Sequence, residues 1–318
     1  MKIKTTNLRK LRYYEKYFSL RVNGESRTYD NADIDFRLEN INNLLEKIVD
    51  KEEKDIKQGL LSLKRDAEKN LIPDRKLSWI DKENKRLCYF IWSFIRLANK
   101  DKIKQTIEYN QSIFTDEKSN YLFNFSMIFG SFLSDKEFIY LNLNLHNKPC
   151  NINEIHELII NYIDDIDLTI DEKEKLINNI YLIFSNIEKK EKHHWINESN
   201  QGQLQWIIDY LYKGEISIDF IPVHTNKSQM YNGIISALDL WNENDKSIIF
   251  NIDKKTFISK MKKSWKQKQY RDKLNSEQLT LNSANLKKLE VISNHISKSN
   301  IKSLEYMIDE KYKEIVSR

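Results

Sequence analysis

Asp165, Asp167, Thr169 and Asp171 stand at alternate positions, the spacing at which a calcium loop presents its first oxygen ligands. The likeness ends there. Ile170 sits where such a loop needs glycine, and Leu176 where the bidentate Glu belongs. Thr169-Ile170-Asp171-Glu172 reads instead as a capping box, with Thr at the N-cap and Glu three residues on, and predicts a helix start. His193 and His194 are adjacent, so on a helix they diverge by about 100° and make no ligand pair. Cys88 and Cys150 are the only cysteines, too few and too far apart for a disulfide framework or a zinc site. They read as thiols in a reducing cytoplasm. No Walker, dinucleotide-binding or G-x-S-x-G motif occurs. No catalytic residues, metal or cofactor are expected, and the chain does not read as an enzyme.

A different chemistry is carried by charge. The net charge is +5, but residues 253–273 hold nine Lys/Arg against two Asp, and residues 274–318 balance at +1, which leaves −3 on the first 252 residues. A slightly acidic body with a basic C-terminal fifth points to a polyanion. Within the basic run Phe257, Met261 and Trp265 fall at i, i+4 and i+8 and give a helix one packing face. Lys260, Lys262, Lys263, Lys266, Lys268 and Arg271 cover the remainder and suit backbone phosphates.

The elements that must position these residues are mostly helices. The chain has 318 residues, 40% hydrophobic and 31% charged, with 6 Gly and 3 Pro, too breaker-poor for a many-turned β-sandwich. Tyr13, Tyr14, Tyr17 and Phe18 are packing anchors in an N-terminal stretch whose structure the pattern leaves open. From about Asp35, Leu38, Ile41, Leu44, Leu45 and Ile48 predict a long amphipathic helix that continues through Leu60, Leu61 and Leu63 and stops at Pro73. A helix capped by Ser78 carries Leu87 to Leu97, apolar nearly all round and so central in a bundle. Tyr121 to Phe132 predicts further buried helix, as do Ile152 to Ile163, Leu176 to Phe184, Trp195 to Tyr212 and Met230 to Trp241. Glu188 to His194 reads as a linker, and Glu215 to Phe220 as a short strand or extended connection. The expected organisation is a helical domain over 1–190, a helical intermediate region over 195–252, a basic helix over 253–273 and a C-terminal domain over 274–318. No apolar run reaches the ~20 residues of a membrane span, and no secretory signal is read at the N-terminus.

Gln278-Leu279-Thr280-Leu281-Asn282 alternates polar and apolar residues as a half-buried strand does. Leu286, Leu289, Ile292 and Ile296 then mark a helix face, Ser297-Lys298-Ser299-Asn300 breaks it, and Leu304 and Ile308 lie on a second helix capped by Ser299. One strand and two helices in about 40 residues cannot close a core alone. Two copies can: the strands pair antiparallel, and Leu279, Leu281, Leu286, Leu289, Ile292, Ile296, Leu304 and Ile308 form the dimer core. Gln278, Thr280 and Asn282 then point outward, uncharged and able to hydrogen-bond base edges in the major groove.

On these residues, segment 278–316 resembles the ribbon–helix–helix DNA-binding family. The resemblance implies base reading by Gln278, Thr280 and Asn282, and a phosphate held near Lys298, Ser299 and Asn300. The sequence departs from the family in having Ser297 where glycine is frequent and Ser283 near a frequent Pro or Asp. With the basic helix included, 255–316 also resembles the bacterial macrodomain Ter organising family, notably at Met261-Lys262-Lys263-Ser264-Trp265-Lys266. The expected protein is mainly α: a helical N-terminal bundle, a basic helix and a dimerising ribbon–helix–helix. It would be a cytoplasmic, nucleoid-associated homodimer that binds double-stranded DNA at a palindromic site, regulating transcription or organising the chromosome, with the N-terminal domain open to a protein partner. Two other readings stand beside it: an N-terminal nucleic-acid-processing or toxin-like enzyme delivered to DNA by the C-terminus, and a helical interaction protein with an RNA-binding basic tail.

Overall fold

The computed structural model describes residues 2–25, 33–49, 56–109, 139–143, 145–146, 148–190, 192–214, 216, 226–241, 252–276 and 281–316. The chain divides into two compact units, 1–262 and 263–318. The described residues are mainly helical, and no helix among them is long and apolar enough to cross a membrane.

The first unit is three short helices joined to a larger bundle. Helix α1 (Leu8–Asn23) is capped by Asn7, whose side chain accepts from the Lys10 amide, and closes on Gly24 at φ 73, a left-handed position glycine takes without strain. Tyr14 and Phe18 are buried, so two of the four aromatic anchors enter the core fully. Of the long helix expected from Asp35, the described residues form α2 (Ile34–Val49) and α3 (Ile56–Asn70), both packed on α1, and residues 50–55 between them lie outside the described residues. Leu11, Ile41, Leu45, Leu63 and Ala67 are among the residues of the small core they share.

After the short α4 (Asp74–Leu77), α5 (Lys85–Leu97) forms the hub. Its cap is Asn84 rather than Ser78, which closes α4 instead. Asn84 wins because it directly precedes the apolar run, where its side chain reaches the Leu87 amide at 3.0 Å. All nine residues from Leu87 to Ile95 are buried, as an all-round apolar helix requires. Short α6 (Lys100–Ile107) and α7 (Ile139–Asn142) are followed by α8 (Ile152–Asp165), α9 (Ile170–Lys190), α10 (Gln201–Lys213) and α11 (Lys227–Leu240). Helices α7, α8, α9 and α11 pack on α5. The capping box at Thr169 holds: Thr169 Oγ1 accepts from the Glu172 amide at 3.3 Å, and Glu172 accepts from the Thr169 amide at 2.9 Å. Where α11 crosses α5 the side chains are small. The Ser236 hydroxyl donates to the Tyr89 carbonyl at 3.0 Å and lies 2.9 Å from the Ser93 hydroxyl, so these two buried hydroxyls are paired.

The expected boundary near residue 190 does not separate two cores. One cluster of buried side chains runs from Ile72 through Phe184, Ile196 and Trp241 to Met261. Helix α9 continues to Lys190, and His193, in the expected linker, is itself buried. The charged residues there mislead because their heads lie at the surface while the apolar register continues beneath. The predicted helix over Tyr121–Phe132 and all but Ile216 of the predicted extended stretch at 215–220 lie outside the described residues.

The second unit takes the last part of α12 (Lys254–Ser276), then α13 (Ser283–His295) and α14 (Asn300–Val316), which pack on each other. The break between them is a Schellman turn. Ser297 has φ 53, its amide donates to Asn294 O at 3.3 Å, and the Lys298 amide donates to Ser293 O at 3.1 Å. A serine held left-handed costs about 1 kcal/mol, and these two bonds satisfy carbonyls that the helix end would otherwise orphan.

Candidate nucleic-acid interface

Helix α12 is anchored at its start. Phe257 and Met261 are fully buried in the larger core, and the Phe257 ring lies edge-on to Trp241 and Tyr210 at 5.0 and 5.3 Å. Gly214 is required there, since a Cβ at that position would stand 2.6 Å from the Phe257 ring. The predicted i, i+4, i+8 face is real, for Trp265 is buried too. Its inward direction leaves Lys260, Lys262, Lys263, Lys266 and Arg271 exposed along about 16 Å of helix axis. Lys268 is half-buried and pairs with Asp272 at 2.7 Å, an i, i+4 link that offsets part of its charge. Lys254, at the head of the same run, is buried and is not part of the exposed surface.

Beyond α12 the structure distributes the expected base-reading and dimer residues unevenly. Gln278, Leu279 and Thr280 lie outside the described residues. Leu281 is half-buried. Asn282 is the N-cap of α13, and its Oδ1 accepts from the Asn285 amide at 2.9 Å. That bond commits one of the two atoms a bidentate contact to adenine would use and leaves the amide Nδ2 free to donate. An Asn directly before the helix was the sequence signal for this role.

Of the expected dimer core, Leu289 is the buried hydrophobic residue among 281–316; Ile292, Ile296 and Leu304 are half-buried, and Leu286 and Ile308 are exposed. Helix α14 carries an apolar stripe at Ile301, Leu304, Ile308 and Ile315, spaced 3, 4 and 7, and Ile301 and Ile315 are 72% and 64% exposed. Burial within the hairpin goes to small residues, since Ser293 and Ser303 are buried where Ile308 is not. The Ser303 hydroxyl donates to the Ser299 carbonyl at 2.9 Å, and the same carbonyl accepts the Ser303 amide, which places Ser299 at the N-cap of α14. Lys298, next to it, lies with Nζ 4.2 Å from the Tyr306 ring centroid, so its charge is held over the first turns of α14 by a cation–π contact. Lys298, Ser299 and Asn300 thus sit together, exposed, at a helix N-terminus, the kind of end that favours an anion.

The sequence reading missed a second concentration of polar chemistry, in the first unit. Arg9, Arg12 and Lys16, spaced i, i+3 and i+7 on α1, meet Asp164 and Asp165 at the end of α8. Arg9 donates to both carboxylate oxygens of Asp164, at 2.9 and 2.5 Å, and to Ile72 O at 2.6 Å. Burial alone would lower the Arg9 pKa, but its hydrogen bonds to Asp164 and Asp74 raise it above the ordinary value. The cationic spacing on α1 and the paired Asp164-Asp165 were visible in the sequence; that they face each other was not. Among the described residues no group of His, Cys, Asp and Glu is placed to hold a metal ion. The calcium-like residues are accounted for otherwise: Asp165 is ion-paired to α1 and Thr169 is a cap.

No protein-family model, curated protein or solved structure matches this chain.

Proposed function

We propose that the protein is a DNA-binding homodimer that recognises a palindromic site through a β-ribbon formed by segment 278–282 of two chains. The observation that carries this reading is the contrast along one stretch of chain. A helix with one buried face and a run of exposed lysines leads directly into a helical hairpin whose apolar residues a single copy leaves in water. An apolar stripe of that extent calls for a partner, and the lysines before it suit phosphates. The left-handed Ser297 supports the resemblance at the position where the family's glycine would stand. Gln278 and Thr280 would read base edges. Asn282 would hold the start of α13 and offer Nδ2, and the helix end at Lys298, Ser299 and Asn300 would take a backbone phosphate.

The experiment is a mobility shift with genomic fragments, run with light scattering on the free protein. Wild type should be a dimer at tens of micromolar and should retard DNA. Leu281→Asp should abolish both, because it places an unpaired charge at the dimer seam. A monomeric wild type that still binds DNA would overturn the ribbon. Selection from random oligonucleotides should return an inverted repeat with wild type. With Thr280→Ala the preference for that repeat should weaken, by about 1–3 kcal/mol for each base the strand ceases to read.

A further inference from the structure

The first unit holds two apolar cores that meet at one peptide bond. Among the described residues, every buried apolar side chain from Ile3 to Leu71 belongs to the core of α1, α2 and α3, and every one from Ile72 to Met261 belongs to the core around α5. The half-buried apolar residues packed on these cores divide at the same place. Leu71 and Ile72 are neighbours in the chain and both are buried, yet they pack into different cores. The chain passes from one half to the other once, at this joint, with Pro73 directly after it.

Besides that joint, ion pairs and hydrogen bonds tie the halves together. Arg9 holds both oxygens of Asp164 and reaches Asp74 at 2.5 Å and the Ile72 carbonyl at 2.6 Å. Arg12 stands 2.8 Å from Asp165, which Lys16 also meets. Buried Lys173 donates to Asp164 O at 2.8 Å and to Asn70 O, at the end of α3, at 3.5 Å. Next to this matched seam the halves stand apart across an open cleft of about 890 Å³, with Leu8 and Arg37 on one wall and Ile80 and Ile160 on the other.

Such a seam sets register without fusing the cores. An ion pair taken out of water is close to break-even against its hydrated charges, whereas each apolar core stays buried whether or not the halves touch. Halves that share no large apolar interface move relative to each other by default. We propose that residues 1–71 are a docking module, latched to the bundle by Arg9, Arg12 and Lys16 on Asp164 and Asp165, and that it swings open about the Leu71–Ile72 joint with both cores intact. Closed, the latch covers the cationic face of α1; open, it presents that face and the Asp164–Asp165 pair to solvent.

The test uses the full-length protein with nitroxide labels at exposed Cys150 and at Leu20→Cys, one on each half; Cys88 is buried and stays unlabelled. Dilution with unlabelled protein leaves one labelled chain per assembly, so the result depends on neither the dimer nor DNA. Pulsed dipolar spectroscopy should give one narrow distance for the latched form. Asp165→Lys sets a third cation against Arg12 and Lys16, while at the last residue of α8 a lysine suits the helix dipole. It should add a longer, broader distance population with helical content retained. A second measurement uses the tryptophans, all six of which follow the joint. Leu63→Ala opens a hole in the smaller core, and should free the Leu20→Cys label at a lower temperature than in wild type while the tryptophan melting transition stays in place. Three results would overturn the latch: an unchanged distance in Asp165→Lys, loss of helix throughout that variant, or a tryptophan transition in Leu63→Ala that falls in step with the label.

Discussion

The two units solve the burial problem differently. In the first, α5 alone hides nine successive residues, and the same core takes in Phe184, Leu204, Leu238 and Phe257 from four other helices. In the second, α13 and α14 leave Val291, Ile301, Ile308, Tyr312 and Ile315 in water. Both stretches are amphipathic by sequence; they differ in how many neighbours each helix has. A helix surrounded on all sides can bury every residue, whereas two crossed helices share a single seam, filled here by Leu289, Ser293 and Ser303. Amphipathic patterning therefore states an intention to bury, and the number of packing partners decides whether one chain can carry it out.

The sharpest test of this contrast is truncation in each unit. Trp92→Ala should cost about 3–5 kcal/mol by denaturant unfolding, since the ring is fully enclosed. Ile308→Ala, measured at low protein concentration, should cost under about 0.5 kcal/mol. Equal losses would mean that the hairpin buries Ile308 unaided. The next effect is linked to concentration. If a second copy covers the stripe, the unfolding of the C-terminal unit should shift to higher temperature as protein concentration rises, while that of the larger unit stays fixed. Differential scanning calorimetry at two concentrations distinguishes the outcomes.

Alkaline pH should weaken the larger core selectively. Burial pushes the Cys88 thiol and the Tyr109 hydroxyl up to about 12, and raises Tyr89 and Tyr162 as well. A folded-state pKa above the unfolded value means stability is intact below the unfolded pKa and is lost as pH rises toward the folded one. The melting temperature should therefore hold to about pH 9 and fall between about 9 and 12. Phe replacing Tyr162 should reduce that fall.

The smallest effects compare like with like. Thr169→Ala and Asn282→Ala each remove an N-cap, one from each unit, and each should cost its helix about 1 kcal/mol. Circular dichroism reads the loss; a negligible effect at Asn282 would show that its cap is dispensable and its amide free for another use. Lys262→Ala with Lys266→Ala should leave both stabilities unchanged, because the two side chains are exposed. The same pair should flatten the salt dependence of DNA binding by up to about two units of slope.

Much of this was legible along the chain. Local signals act over three or four residues, so the capping box at Thr169, the all-round apolar α5, the Phe257–Met261–Trp265 face and the break at Ser297 could each be read from spacing alone. The mainly helical class followed from the scarcity of glycine and proline. What spacing could not supply was the partner of each face. The boundary expected at 190 was not where one core ends, because surface charge on α9 says nothing about the residues beneath it. Asn84 rather than Ser78 caps α5, a choice that depends on where the first turn begins. Arg9, Arg12 and Lys16 carry no instruction to meet Asp164 and Asp165 some 150 residues away. Those positions depend on how the two cores, one holding α1 and the other α8, come together, which local spacing does not encode. The sequence determined which helices form and which faces they wish to hide; the tertiary structure decided which of those faces found a neighbour and which charged groups met across the fold, because those outcomes depend on contacts between residues far apart in the chain.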